Sequence, residues 1–231
     1  SRALVRVAKS PDDYFTVYGR VLAEAGQPVV LHWLGEMFDP ALSGYWGGND
    51  FSATMETALA VIEASRAKVD GIKISLLDDH KEVVMRRRLP AGVVMYTGDD
   101  FNYPELIAGD AQGYSHALLG IFDPIAPAAS AALSALAAGD RTGYDALMTP
   151  TVPLSRLIFR SPTRYYKTGV VFLSYLNGFQ DHFIMVGGQQ SMRPLTYFAD
   201  AFRLADQAGL LRDPDQATRR MTRLLATYGV V

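Results

Sequence analysis

An alternation constrains this chain more than any other feature: up to Ala138, short apolar runs are separated by stretches of helical periodicity. The runs are Pro28–Leu34, Val69–Leu77, Val93–Thr97 and Tyr114–Gly120. Each is too short for a buried helix and too continuously apolar for a half-exposed strand, so each predicts a strand covered on both faces. Helices are expected between and after them, at about Ser52–Ala67, Asp78–Arg88, Tyr103–Ala111 and Ile125–Ala138. Strand and helix at this spacing mean βαβ units, hence a parallel sheet and an α/β fold. An earlier helix is announced by Ser10-Pro11-Asp12-Asp13, with a cap, a proline at the first helical position and two acids in the first turn.

After Gly139-Asp140 the pattern changes. Thr163–Leu176, Pro194–Ala208 and Asp213–Tyr228 read as helices, with no comparable buried strand among them. The expected organisation is therefore a strand-bearing region, 1–140, and a helical extension, 141–231.

Composition excludes several function classes. With 22 basic and 24 acidic residues and a net charge of −2, there is no electrostatic footprint for nucleic acid or an anionic membrane surface. No apolar run approaches the roughly 20 residues of a membrane span. The first dozen residues hold no apolar signal-peptide core, so a cytoplasmic location is expected. The absence of cysteine removes disulfides, thiolate metal sites and a cysteine nucleophile. A mean hydropathy of +0.06 points to surface covered by a partner, and a homo-oligomer is expected.

Parallel α/β folds place reactive groups at the C-terminal ends of strands, where the βα loops form the mouth of the site. That rule selects His32, Trp33 and Glu36 after the first strand, and Lys73 and Ser75 on the second. It further selects Thr97, Gly98, Asp99 and Asp100 after the third, and Ser115 and His116 on the fourth. Lys73 is the most informative, an ammonium in the middle of the apolar strand Gly71-Ile72-Lys73-Ile74-Ser75. Such a lysine has either a lowered pKa, as a Schiff-base nucleophile needs, or a carboxylate partner such as Asp99. His32, Glu36, Asp99 and His116 give a second option, convergence on a divalent metal, although no close ligand spacing supports it. Arg86-Arg87-Arg88 reads as a solvated helix face or an interface.

Pro28–Gly35, Gly71-Ile72-Lys73, Tyr96–Asp100, Gly113–Pro124 and Ala138-Gly139-Asp140 together resemble, in order, the second half of the dihydrodipicolinate synthase and N-acetylneuraminate lyase superfamily. Ser161–Lys167 and Met192–Leu195 look like that superfamily's C-terminal helical extension, and the likeness is greatest to an uncharacterised bacterial branch. The resemblance implies a (β/α)8 TIM barrel, of which this chain supplies about the last four βα units. It also implies class I aldolase or lyase chemistry on a small carbonyl compound, with a dimer or tetramer expected and no cofactor. Lys73 falls at the superfamily's Schiff-base lysine, and Gly98-Asp99-Asp100 matches the rim of its site. Asp99 reads equally as the cap of an Asx turn.

Two departures matter. The superfamily's relay tyrosine is replaced by His32, an imidazole able to serve as acid or base near neutral pH. Gly35–Gly48 lacks the arginine that carboxylate-binding members carry there, and offers Trp33, Glu36, Phe38, Asp39, Tyr45 and Trp46 around it instead. Aromatic faces beside carboxylates suit a polyhydroxylated substrate, or equally a packed interface. Counting strands predicts half a barrel, with Ser1-Arg2-Ala3 at the end of a preceding strand and a native chain longer by at least about 100 residues.

Overall fold

Apolar runs this short are buried only when laid side by side beneath helices, and the computed structural model, which describes residues 2–230, has that arrangement. Its first element is helix α1 (Arg2–Val7). The strand end expected at Ser1-Arg2-Ala3 is thus corrected: Arg2 and Ala3 are helical, and Ser1 lies outside the described residues. Leu4, Val5 and Ala8 pack against the core, so helical spacing buries this segment's apolar side. Helix α2 (Pro11–Glu24) follows, with Ser10 at its N-cap and the Asp13 carboxylate accepting the Ser10 N–H at 3.2 Å.

The alternation then unfolds as β1 (Val29–Leu34), α3 (Phe51–Ala64), β2 (Val69–Ser75), α4 (Asp79–Arg86), β3 (Val94–Thr97), α5 (Tyr103–Ala108) and β4 (His116–Ala117). Asp50 and Asp78 start α3 and α4 by accepting the N–H groups of Ala53 and Lys81. The strands form one parallel sheet in the order β1-β2-β3-β4. The fourth strand is much shorter than the predicted Tyr114–Gly120. Ser115 gives its N–H to the Leu106 carbonyl of α5, and a 3-10 turn begins at Gly120, so the ladder is cut at both ends.

Alternation along the strands separates two faces. Leu31, Trp33, Ile72, Ile74 and Met95 are buried and meet Met55, Ala58 and Ile62 of α3 and Met85 of α4. Side chains of this kind contribute about 1.5–3 kcal/mol each when fully buried. The other face carries His32, Lys73, Tyr96 and His116 in one continuous register across all four strands. On that face His32, Val30, Tyr114, His116 and Leu118 are exposed.

The chain divides into two compact units between Leu119 and Gly120. The second holds α6 (Ala126–Ala137), α7 (Arg141–Met148), α8 (Val152–Ile158), α9 (Tyr166–Leu176), α10 (Leu195–Gln207) and α11 (Pro214–Thr227). The change of pattern at 140 falls after α6, whereas α6 packs on α7 within the second unit. Helices α7 and α8, at 8 and 7 residues, are too short to leave a strong periodic signal. Arg193 ties two distant segments of this unit together, donating to the carbonyls of Arg160, Ser161 and Pro162. No helix among the described residues is long and apolar enough to cross a membrane.

Candidate active site

The polar row on the open sheet face centres on Lys73, half-buried in the middle of β2. Its register neighbours are His32 on β1 and Tyr96 on β3. Although His32 keeps an exposed edge, crowding by the sheet and then the Lys73 charge push its imidazole down to about 4. It is therefore neutral at pH 7, and its Nε2 lies 2.9 Å from Ser75 Oγ. The tautomer decides which of the two donates.

Gly98, one residue past β3, gives this group its space. A Cβ there would run into Ser75 Oγ and would come within 2.7 Å of both Lys73 Cε and the Ile74 carbonyl oxygen. The Gly98 N–H donates to that same carbonyl at 2.7 Å. Lys73, Ser75 and Gly98 therefore pack around one point, with His32 reaching it through Ser75. His116 extends the row, its ring 5.5 Å from Tyr96 and 5.2 Å from Tyr114. Tyr96 sends its hydroxyl to Asp70 at 2.6 Å.

The remaining residues selected from the sequence lie elsewhere. Asp99 is buried and caps the turn into α5, accepting from Phe101 N at 2.7 Å and Asn102 N at 3.0 Å, with Asn102 Nδ2 on its other oxygen. Burial raises its pKa against the pull of those N–H groups. Asp100 and Ser115 are also buried. Trp33 alternates away from His32 onto the helix-bearing face, stacked on Phe51 at 5.7 Å. Trp33 and Glu36 line a cavity of about 360 Å³ with Tyr45, Asn49, Phe51 and Lys81, and neither His32 nor Lys73 borders it. The loop closing that cavity is pinned by Trp46, which is fully buried against Tyr14, Tyr18 and Tyr45 and held at φ 70°.

A carboxylate that the strand-end rule does not select lies beneath the row. Glu82 of α4 is fully buried and accepts the Thr97 hydroxyl at 2.9 Å. Burial, assisted by Asp99, pushes it up to about 7 against the pull of the Ser115 and Thr97 hydroxyls and Arg86. The sequence signal was its place three residues before Met85, on the buried side of the helix. Of the run Arg86-Arg87-Arg88, expected on a solvated helix face or at an interface, Arg86 turns inward: it pairs with Asp110 at 2.9 Å and reaches Ser115 Oγ at 3.3 Å. Among the described residues no group of three or more His, Asp or Glu side chains is placed to hold a metal.

The family model described as "Protein of unknown function (DUF993)" matches residues 1–230. No curated protein matches the chain. Among solved structures, one described as a "putative dihydrodipicolinate synthetase" from Pseudomonas aeruginosa is similar, with a TM-score of 0.65 at 18% identity. The match covers 86% of this chain and 62% of that one, so this chain spans less than two thirds of its length. At that identity the likeness concerns the fold.

Proposed function

The chain belongs to the DUF993 family, and we propose that this member is a Schiff-base-forming lyase or aldolase acting on a small carbonyl compound, a keto acid or a sugar derivative. In this reading its strands are the second half of a TIM barrel and its helical unit the extension, within a cytoplasmic dimer or tetramer. One observation carries the reading. Lys73 stands in register between His32 and Tyr96 on the open face of a parallel sheet, with Gly98 leaving room for its stem.

In its neutral form the Lys73 amine attacks the substrate carbonyl carbon: the N–C bond forms while the carbonyl π pair moves to oxygen. A proton then passes from nitrogen to that oxygen to give the carbinolamine. A second proton, taken up from solvent, lets the hydroxyl leave as water and leaves the protonated imine, an electron sink for C–C cleavage, C–C formation or dehydration. Neutral His32, hydrogen-bonded to Ser75, stands ready to move protons beside it. In this reading exposed His116 helps to hold the substrate on this face, and buried Ser75 orients His32. Of the residues proposed from the sequence for binding, Asp99, Asp100 and Ser115 are buried, and Trp33 and Glu36 line the separate cavity.

The test is reductive trapping. Incubation with pyruvate or glyceraldehyde and cyanoborohydride is expected to leave a mass adduct on Lys73 that Lys73→Met abolishes. Adducts spread equally over surface lysines, or none at Lys73, would overturn the imine mechanism.

A further inference from the structure

We infer that Glu82 is the positioning residue of the lysine site, holding from beneath the sheet the turn that packs against Lys73 and Ser75. The inference rests on the reading of Lys73 given above and adds a residue to it.

The connection is a chain of hydrogen bonds. Thr97 Oγ1 donates to Glu82 Oε2 at 2.9 Å and accepts the Asp99 N–H at 3.1 Å. Between these two residues stands Gly98, whose backbone abuts Ser75 Oγ and Lys73 Cε. The turn is thus held on one side by Asp99, which caps α5, and on the other by Thr97, which hangs from Glu82. Thr97, Asp99 and Glu82 are each at most 1% exposed, so no water route competes for these bonds. Glu82 Oε1 is likewise sealed, with no hydrogen bond of good geometry.

An unsatisfied carboxylate oxygen in the interior is costly, and a purely structural position would be filled better by an apolar residue of similar size. Its surroundings make the support responsive to protons. Arg86 faces Glu82 from its own helix, Thr97 and Asp99 from the end of β3, and Ser115 from the start of β4. Behind them, Asp110 pairs with Arg86, and Asp79 faces Asp99. As a carboxylate, Glu82 accepts the Thr97 hydroxyl through Oε2 in a charge-assisted bond. As a carboxylic acid it holds the Thr97 hydroxyl through a neutral bond, weaker than the charge-assisted one. The turn is therefore held best with Glu82 ionised, and its titration near neutral pH is felt at Lys73.

Competitive acetylation of the full chain with acetic anhydride, read at Lys73 by peptide mass spectrometry and referenced to exposed Lys167, tests this without any substrate. In the wild type, Lys73 reactivity should show a step near pH 7 on top of the amine's own titration. Glu82→Gln, which keeps shape and an acceptor, should lose the step and keep the plateau reactivity. Glu82→Ala should change Lys73 reactivity about tenfold or more at every pH, as expected when a positioned group is released by about 1 Å. If Glu82→Ala does not fold, the Gln profile alone decides. Lys73 profiles identical in wild type and Glu82→Gln would overturn the inference. Cyanoborohydride trapping with pyruvate is run on the same samples. A Glu82-dependent Lys73 that forms no adduct defeats the imine mechanism and leaves the positioning role standing. An adduct with no Glu82 dependence does the reverse.

Discussion

The same strands present two faces of opposite character. Beneath them, Ile72 and Ile74 alternate into a dry layer with Leu31, Met95 and Met85, each at most 5% exposed. Above them, one residue along, Lys73 shares its register row with His32, Tyr96 and His116. Chemistry and stability are thus interleaved at single-residue spacing, and a change on either face should be felt differently. The lower face should lose stability when altered; the upper should lose reactivity or titration behaviour first.

Four substitutions or titrations sharpen this contrast. Ile72→Ala empties a fully buried position at the centre of the sheet and is expected to lose about 2–5 kcal/mol in urea unfolding. A loss below 1 kcal/mol would mean that the layer is not the close-packed one described. The stability effect of Glu82→Gln should depend on pH. The folded pKa of Glu82 is raised to about 7 from an ordinary 4.5, so its carboxyl favours the fold most when protonated and loses that advantage as pH climbs through 7. The Gln variant should therefore gain relative to wild type between pH 4.5 and 7, by about 3 kcal/mol in total, and level off above. Parallel unfolding curves at pH 5 and pH 8 would contradict this.

Gly98→Ala has a smaller effect, about 1–3 kcal/mol of overpacking against the Ile74 carbonyl and the Lys73 stem. It should also displace Lys73, so its acetylation rate should change while Lys167 stays constant. Last, His32 should titrate by NMR near 4, well below an ordinary imidazole. Because its folded pKa is depressed, the neutral ring favours the fold above pH 6.5, and that contribution disappears as pH falls through about 4. In Lys73→Met the midpoint should rise, since one of its two causes is gone.

Much of the first unit was legible in the residues themselves. Ser10-Pro11-Asp12-Asp13 marks the start of α2 because a cap, a proline and early acids suit its free N–H groups. The strands read as short apolar runs, although β1 is covered on one face only, with Val30 and His32 exposed. Lys73 stood out for the same reason, a charge where the pattern demands an apolar side chain. Both readings of Asp99 were available from the sequence, and its bonds to Phe101 and Asn102 are those of the turn. The short β4 was not legible, because what ends it is a bond from Ser115 to the Leu106 carbonyl of the preceding helix.

Local pattern alone determined the order of strands and helices, the start of α2 and the place of Lys73 within β2. These depend on spacing and on groups a few residues apart. Only the tertiary structure decided that His32, Lys73, Tyr96 and His116 share one row, that Trp33 turns away from them, and that Glu82 bonds to Thr97 beside Gly98. Those relations depend on register between strands and on hydrogen bonds such as Glu82 to Thr97, which span 15 residues and form only when a helix packs on its sheet.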